Sequence, residues 1–150
     1  MRGSRSPALL RALVSFALGN LLWEFIQVPL YTIWLESWGT IAFAVVHCTA
    51  GDVVIGGVAM LVALAAFGRD WPDTTQSRTR VTAAVTVMGV AYTIFSEWLN
   101  VDVRGAWAYG PTMPTLPLLG TGLAPLMQWL VIPPVALWYG VRAAKTKASS

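Results

Sequence analysis

Long apolar segments, each interrupted by a few polar residues, dominate the hydrophobic pattern of this chain. Four of these segments are long enough to cross the ~30 Å hydrocarbon core of a bilayer, which takes about 20 helical residues. They cover residues 12–35, 39–67, 81–99 and 116–141. The pattern therefore predicts an all-α fold: an integral membrane four-helix bundle that forms one domain over residues 1–150.

The distribution of basic residues predicts the orientation of this bundle. Of the ten Lys and Arg residues, nine lie in three short segments, at the start, in the middle and at the end of the chain. They are Arg2, Arg5, Arg11, Arg69, Arg78, Arg80, Arg142, Lys145 and Lys147. Because cytoplasmic loops collect basic residues, the N-terminus and C-terminus are both expected to be cytoplasmic. The Ala, Arg and Trp usage favours a bacterium, which places the protein in the inner membrane.

Composition agrees with a lipid environment and narrows the classes of function. The chain is 56% hydrophobic and 11% charged, with a mean hydropathy of +0.62. Its net charge of +3 comes from juxtamembrane segments without a series of stacking aromatics, so no nucleic-acid partner is expected. A single cysteine, Cys48, excludes the four-helix thiol-oxidising enzymes, which need cysteine pairs.

The first predicted helix carries one polar stripe, formed by Asn20, Glu24, Gln27 and Tyr31. At 100° per residue these side chains lie within about 60° of one another around the helix axis. The other faces of the helix are apolar. The stripe is therefore expected to face the interior of the bundle.

The second predicted helix contributes His47 and Asp52 within the run HCTAGD. Small residues repeat every four positions around Asp52, which favours close approach of a neighbouring helix and an inward-facing Asp52. His47 is separated from Asp52 by about 140° around the axis, so the two side chains are expected to face different neighbours.

Further polar and aromatic residues lie near the predicted outer side. They are Ser96, Glu97 and Asn100 at the end of the third helix and Trp107 and Tyr109 in the connection that follows, whereas Gln128 in the fourth helix lies nearer the midplane. The connection is aromatic, rich in proline and nearly uncharged. We therefore expect it to pack over the helix ends rather than extend into water.

Three carboxyl groups within membrane helices require an explanation, because each costs about 2.5–3.5 kcal/mol at the bilayer centre. One interpretation is structural: protonated or paired acids join the helices through hydrogen bonds. The other is an outward-facing cavity in which Glu24, His47, Asp52 and Glu97 are catalytic. The residues that would bind substrate in it are Asn20, Gln27, Tyr31, Ser96, Asn100, Trp107, Tyr109 and Gln128.

Two resemblances to known families bear on the fold and on the chemistry. The segments EFIQVPLY, HCTAGD, SEWLN, GAWAYGPTMP and APLMQW together resemble an uncharacterised family of small four-pass bacterial membrane proteins, which implies a fold and no activity. Glu97 followed by the W-A-Y segment at 107–109 resembles part of the membrane-bound lycopene cyclase domains. Those domains protonate a polyene with buried carboxylates, whereas this chain has Gln128 near where they offer paired acids. The second resemblance therefore implies a type of mechanism only.

The inventory of side chains limits the cofactors. One histidine cannot form a bis-His haem site, and HExxH is absent. Glu24, His47, Asp52 and Glu97 together could hold Zn²⁺ or Mn²⁺ by ligand type, but their spacing does not require a metal. We predict no cofactor.

Three classes of function remain open. The first is an acid/base enzyme, of the isomerase or cyclase type, acting on a small or lipophilic ligand. The second is a proton-coupled small-molecule transporter. The third is an accessory or assembly subunit of a larger membrane complex. The sequence leaves open whether the chain forms a homo-oligomer.

Overall fold

Four long helices form the protein in a computed structural model that describes residues 5–146, with side chains described through residue 142. The helices are α1 (Arg5–Gln27), α2 (Trp38–Phe67), α3 (Thr75–Glu97) and α4 (Leu123–Thr146). Each is long and apolar enough to cross a membrane. The predicted all-helical fold is confirmed. Arg2 and Lys147, two of the residues behind the predicted orientation, lie outside the described residues.

The helices run up and down, so the bundle has two distinct ends. At the terminal end, where α1 begins and α4 ends, the Arg5 guanidinium donates to the carbonyl oxygens of Gly68, at 3.0 Å, and of Arg69. These two carbonyls belong to the connection between α2 and α3. The opposite end, called the loop end below, contains the other two connections.

Local chemistry sets helix ends that differ from the predicted ones. α1 begins at Arg5 rather than residue 12, and Pro7 occupies its first turn, where a missing N–H costs nothing. It ends at Gln27 rather than residue 35, because Pro29 has no N–H to donate to the carbonyl of Phe25. The chain continues as two 3-10 turns over residues 28–35, called the 3-10 segment below.

The turn between α2 and α3 is shorter than predicted because hydroxyl groups close it. Thr74 caps α3, its side chain accepting from the backbone N–H of Ser77 at 3.3 Å. The Ser77 hydroxyl in turn donates to the carbonyl of Phe67, the last residue of α2, at 2.6 Å. α3 therefore begins at Thr75 rather than residue 81, whereas α2 agrees closely with its predicted bounds.

The connection between α3 and α4 packs against the 3-10 segment. After α3 the chain makes a π-helical turn, Trp98–Val103, and then runs antiparallel to the 3-10 segment. The backbone N–H of Thr32 donates to the carbonyl of Ala108 at 3.0 Å, and that of Gly110 donates to the carbonyl of Leu30 at 2.8 Å. This pairing places the aromatic connection over the loop end. α4 then begins at Leu123, later than the predicted residue 116.

The core changes in character along the bundle axis. An apolar cluster fills the terminal half, with members such as Met60, Trp71 and Leu137. A second apolar cluster in the middle contains Phe16 and Trp129. Apart from Ser77 at the terminal end, the buried polar side chains lie beyond it, toward the loop end. The bundle therefore has an apolar half and a polar half.

Close packing between α3 and α4 depends on Gly89. A methyl group at this position would overlap the indole ring of Trp129. We predict that Gly89→Ala lowers the free energy of unfolding by about 1–3 kcal/mol, the usual cost of overpacking a core. Thermal unfolding in detergent micelles measures the change.

Gly57→Ala on α2 is the matched control, since a methyl group there has no atom within 4 Å. It should leave stability unchanged or raise it by roughly 0.5–1 kcal/mol, because alanine favours the helix. Equal unfolding temperatures for Gly89→Ala and the wild type would contradict this packing of α3 on Trp129.

Candidate functional site, a buried cluster of carboxyl and amide groups

The Gln128 side chain on α4 is the centre of the buried polar cluster. Its Nε2 lies 2.7 Å from Asn20 Oδ1, 2.7 Å from Asp52 Oδ2 and 3.2 Å from Glu24 Oε1. One amide group thus connects α4 with α1 and α2. Gln128 is 2% exposed and Asn20 1% exposed, so the connection lies in the interior.

Neighbouring groups on α1 fix this arrangement. Asn20 donates its own amide N–H to the carbonyl of Phe16 at 2.7 Å, which turns its oxygen toward Gln128. Gln27 donates to Gln128 Oε1 at 3.4 Å, a long hydrogen bond. The predicted polar stripe of α1 therefore faces α4 over almost two helical turns.

The cluster has fewer donors than acceptors. An amide group carries two N–H protons, and three oxygens lie within hydrogen-bond distance of the Gln128 nitrogen. Two of these oxygens belong to the carboxyl groups of Glu24 and Asp52. An additional proton on one of those carboxyls is the simplest way to complete the set of hydrogen bonds.

Glu97 forms a second polar group with two phenols. The Tyr109 hydroxyl donates to Glu97 Oε2 at 2.5 Å, and the Tyr31 hydroxyl lies 3.5 Å from the same oxygen. The Tyr109 oxygen also accepts from the backbone N–H of Gly122 at 2.8 Å. This chain of contacts joins the end of α3 to the connection that covers it.

The environment keeps both phenols protonated. Burial raises the pKa of Tyr109 above its ordinary value, and its hydrogen bond to Glu97 raises it further. Burial also raises the pKa of Tyr31, with the charge of Glu97 as the next cause. Both residues therefore act as hydrogen-bond donors toward Glu97 at neutral pH.

A cavity of about 320 Å³ lies between the polar cluster around Gln128 and the polar cluster around Glu97. Glu24, Asp52 and Gln128 line one part of it, and Glu97 lines another. Its wall also contains residues with exposed surface on α2 and α3, namely His47, Gly51 and Tyr92. The cavity therefore reaches the side of the bundle between these two helices.

Most of the residues predicted to form the site line this one cavity. They are Glu24, Gln27, Tyr31, His47, Asp52, Ser96, Glu97, Asn100, Trp107 and Gln128. Asn20 and Tyr109 lie behind the wall and contact it through Gln128 and Glu97. All four helices contribute side chains to the arrangement.

His47 differs in its surroundings from the carboxyl groups. Its ring is exposed and stacks on Phe43, with 5.6 Å between ring centroids. In the described part of the chain it has no hydrogen bond to Glu24, Asp52 or Glu97. His47 therefore lies at the edge of the cavity.

Thr93 and Arg104 are two of the polar cavity residues that were not among those predicted. Thr93 is buried one turn before Glu97, and that spacing places it on the same face of α3. Arg104 brings a cation to the cavity wall after the π-helical turn. No sequence signal indicates that Arg104 lines the cavity, because its position depends on the extra residue that a π-helical turn accommodates.

One polar atom beside the cavity, Oε1 of Gln27, has no hydrogen-bond partner among the described residues, although Gln27 is only 5% exposed. Buried groups of this kind are rare, because leaving one unpaired costs about 1–3 kcal/mol. The cavity wall thus offers an unpaired acceptor.

The fold and the site define a class: a four-helix protein with a cavity between a carboxyl–amide cluster and a carboxyl–phenol group. Across residues 5–142, no three side chains among His, Cys, Asp and Glu come together as a metal-binding group. Comparison with protein-family models, curated proteins and solved structures gives no match.

The central position of Gln128 predicts the effect of replacing it. Gln128→Met keeps the length of the side chain but removes the shared donor from Asn20, Glu24 and Asp52. We expect the free energy of unfolding to fall by about 1–3 kcal/mol for each acceptor left unpaired. Thermal unfolding in micelles measures it.

Leu130→Met supplies the matched control, because it introduces the same residue on the exposed side of α4. This variant should unfold at the wild-type temperature. Equal stability of Gln128→Met and Leu130→Met would show that the amide is not what holds the three helices together.

Proposed function

We propose that this chain is a multi-pass protein of a bacterial inner membrane whose cavity binds a small lipophilic molecule with a polar group. We further propose that Glu24, Asp52 and Glu97 perform acid/base chemistry on it, of the isomerase or cyclase type. The observation that carries the proposal is the grouping of three carboxyls around a cavity that reaches the side of the bundle. A lipophilic ligand would enter there from the bilayer.

The shortage of donors around Gln128 supports proton chemistry. Glu24 and Asp52 accept from the same nitrogen, so their oxygens are close enough for like charges to repel strongly. A proton shared by this pair relieves the repulsion and remains available to a bound molecule. The pair would act as the proton donor.

Glu97 has different partners, which supports a different role. Phenol hydroxyls from Tyr31 and Tyr109 donate to its carboxyl oxygen, so this oxygen is arranged as a hydrogen-bond acceptor. An acid on one side of the cavity and a carboxylate on the other are the two groups that a proton-transfer isomerisation requires. Glu97 would act as the base.

The apolar core favours this function over transport. A transporter requires access from both sides of the membrane, whereas two apolar clusters occupy the core of the bundle between the cavity and the terminal end. Phe16 and Trp129 lie directly in that direction, with ring centroids 5.7 Å apart. Access from the side of the bundle is what the proposed function needs.

Glu97→Gln tests ligand binding. The variant keeps the size of the side chain but replaces the carboxyl group that the two phenols contact with an amide. Native mass spectrometry of wild-type protein in mild detergent should show a bound small molecule. Its occupancy should fall by roughly tenfold in Glu97→Gln, because a hydrogen bond to a charged group contributes about 1.5–3 kcal/mol.

Asp102→Asn is the control, since it neutralises an exposed acid on the neighbouring π-helical turn, outside the cavity. It should retain the wild-type occupancy. Wild-type protein that carries no small molecule, or equal loss in both variants, would reject the binding site.

Lipid extracts of cells test the chemistry separately. Cells that produce wild-type protein should contain a product that is missing from cells producing Glu24→Gln at the same level of folded protein. Identical extracts would reject the enzymatic part of the proposal while leaving the binding part intact.

The proposed orientation has its own test. In a Cys48→Ser background, Thr112→Cys lies at the loop end and Gln76→Cys at the terminal end, and both positions are exposed. A membrane-impermeant maleimide applied to intact spheroplasts should label only Thr112→Cys, and should label Gln76→Cys after lysis. The reverse pattern would overturn cytoplasmic termini.

A further inference from the structure

A second cavity lies between α3 and α4 in the terminal half of the bundle, separate from the proposed active site. It has a volume of about 730 Å³. On α3 it extends from Thr75 to Val87, about 18 Å at 1.5 Å per residue. That length matches roughly one leaflet, about half of the ~30 Å hydrocarbon core together with part of the headgroup layer. We call it the α3/α4 groove.

The polarity of the groove changes along its length. Arg78 and Arg142 lie near the terminal end, and no Asp or Glu is found among its described lining residues. Val87 and Pro134 lie at the other end. The groove is therefore cationic where a headgroup layer would be and apolar where acyl chains would be.

Hydroxyl groups line the groove between its cationic end and its apolar end. Thr75, Thr79, Thr82 and Thr86 line the groove at spacings of four, three and four residues, which forms one column along α3. The Thr86 hydroxyl has no hydrogen-bond partner among the described residues. Packing against α4 does not require a polar column here, whereas the glycerol and ester oxygens of a phospholipid would meet it.

Neighbouring side chains hold the two arginines in place. The Arg78 guanidinium donates to the Thr75 hydroxyl at 2.8 Å. The Arg142 guanidinium lies over the Trp138 ring, 5.0 Å from its centroid. Trp71, which is 2% exposed, also lines the groove, and its indole N–H has no partner among residues 5–142. Two arginines and an unpaired N–H donor that line one groove are the kinds of group that bind a phosphate.

We infer that the α3/α4 groove binds one anionic phospholipid, with its phosphate between Arg78 and Arg142 and one acyl chain along Val87 and Pro134. The inference rests on the proposed membrane insertion but not on the proposed acid/base site, because the two cavities share no lining residue. Basic pockets between membrane helices bind anionic headgroups in this way.

Native mass spectrometry of the full chain, titrated with dioleoylphosphatidylglycerol or dioleoylphosphatidylcholine, tests the inference. The wild type should bind the first lipid at least fivefold more tightly. Arg78→Gln and Arg142→Gln should each weaken that binding about fivefold, since one basic residue near an anionic lipid contributes about that factor.

Arg80→Gln is the matched control. It removes one positive charge two residues from Arg78, but Arg80 is exposed and does not line the groove. Binding should remain at the wild-type level. Equal affinity for both lipids, or an equal loss in Arg80→Gln, would overturn the inference.

Glycerol 3-phosphate distinguishes a lipid from a free phosphate ester. At millimolar concentration it should not displace phosphatidylglycerol, because it has no acyl chain to fill the apolar end of the groove. Full displacement would identify a soluble phosphate ester as the ligand and overturn the assignment to a lipid.

Discussion

One side-chain amide, that of Gln128, holds the polar half of this bundle together. A buried oxygen without a hydrogen-bond donor is costly, so the oxygens that α1 and α2 bring into the bundle need partners. Asn20, Glu24 and Asp52 all place an oxygen within hydrogen-bond distance of the same nitrogen. The rotation of three helices about their own axes is therefore determined by a single group.

The sequence predicts the number of helices and the direction of the polar stripe, but not every helix end. The number of helices and the inward stripe of α1 follow from segment length and a spacing of four, three and four residues, and both are visible in the sequence. The angle between His47 and Asp52 likewise predicts their different surroundings. The ends of α1 and α3 differ from the predicted ones, because the prediction followed the apolar segments, whereas Pro29 and the capping hydroxyl of Thr74 set the actual ends.

The proposed site was predictable in composition but not in arrangement. Twelve side chains are distinguished by their polarity or aromatic character beside apolar segments, yet their grouping into one amide cluster and one phenol group depends on contacts between distant parts of the chain. Tyr109 reaches Glu97 because the backbone of its connection pairs with the 3-10 segment. Backbone pairing between irregular segments has no periodicity that a sequence pattern could show.

The position of Gln128 in the last helix also has a consequence for biosynthesis. Ribosomes deliver α1 and α2 well before α4, so in the proposed membrane protein Glu24 and Asp52 would enter the bilayer before their common donor is synthesised. During that interval the two acids would have to be neutral carboxylic acids or be shielded by the insertion machinery. Insertion of α4 would then complete these hydrogen bonds, so the polar half of the bundle would assemble late in the folding of the chain.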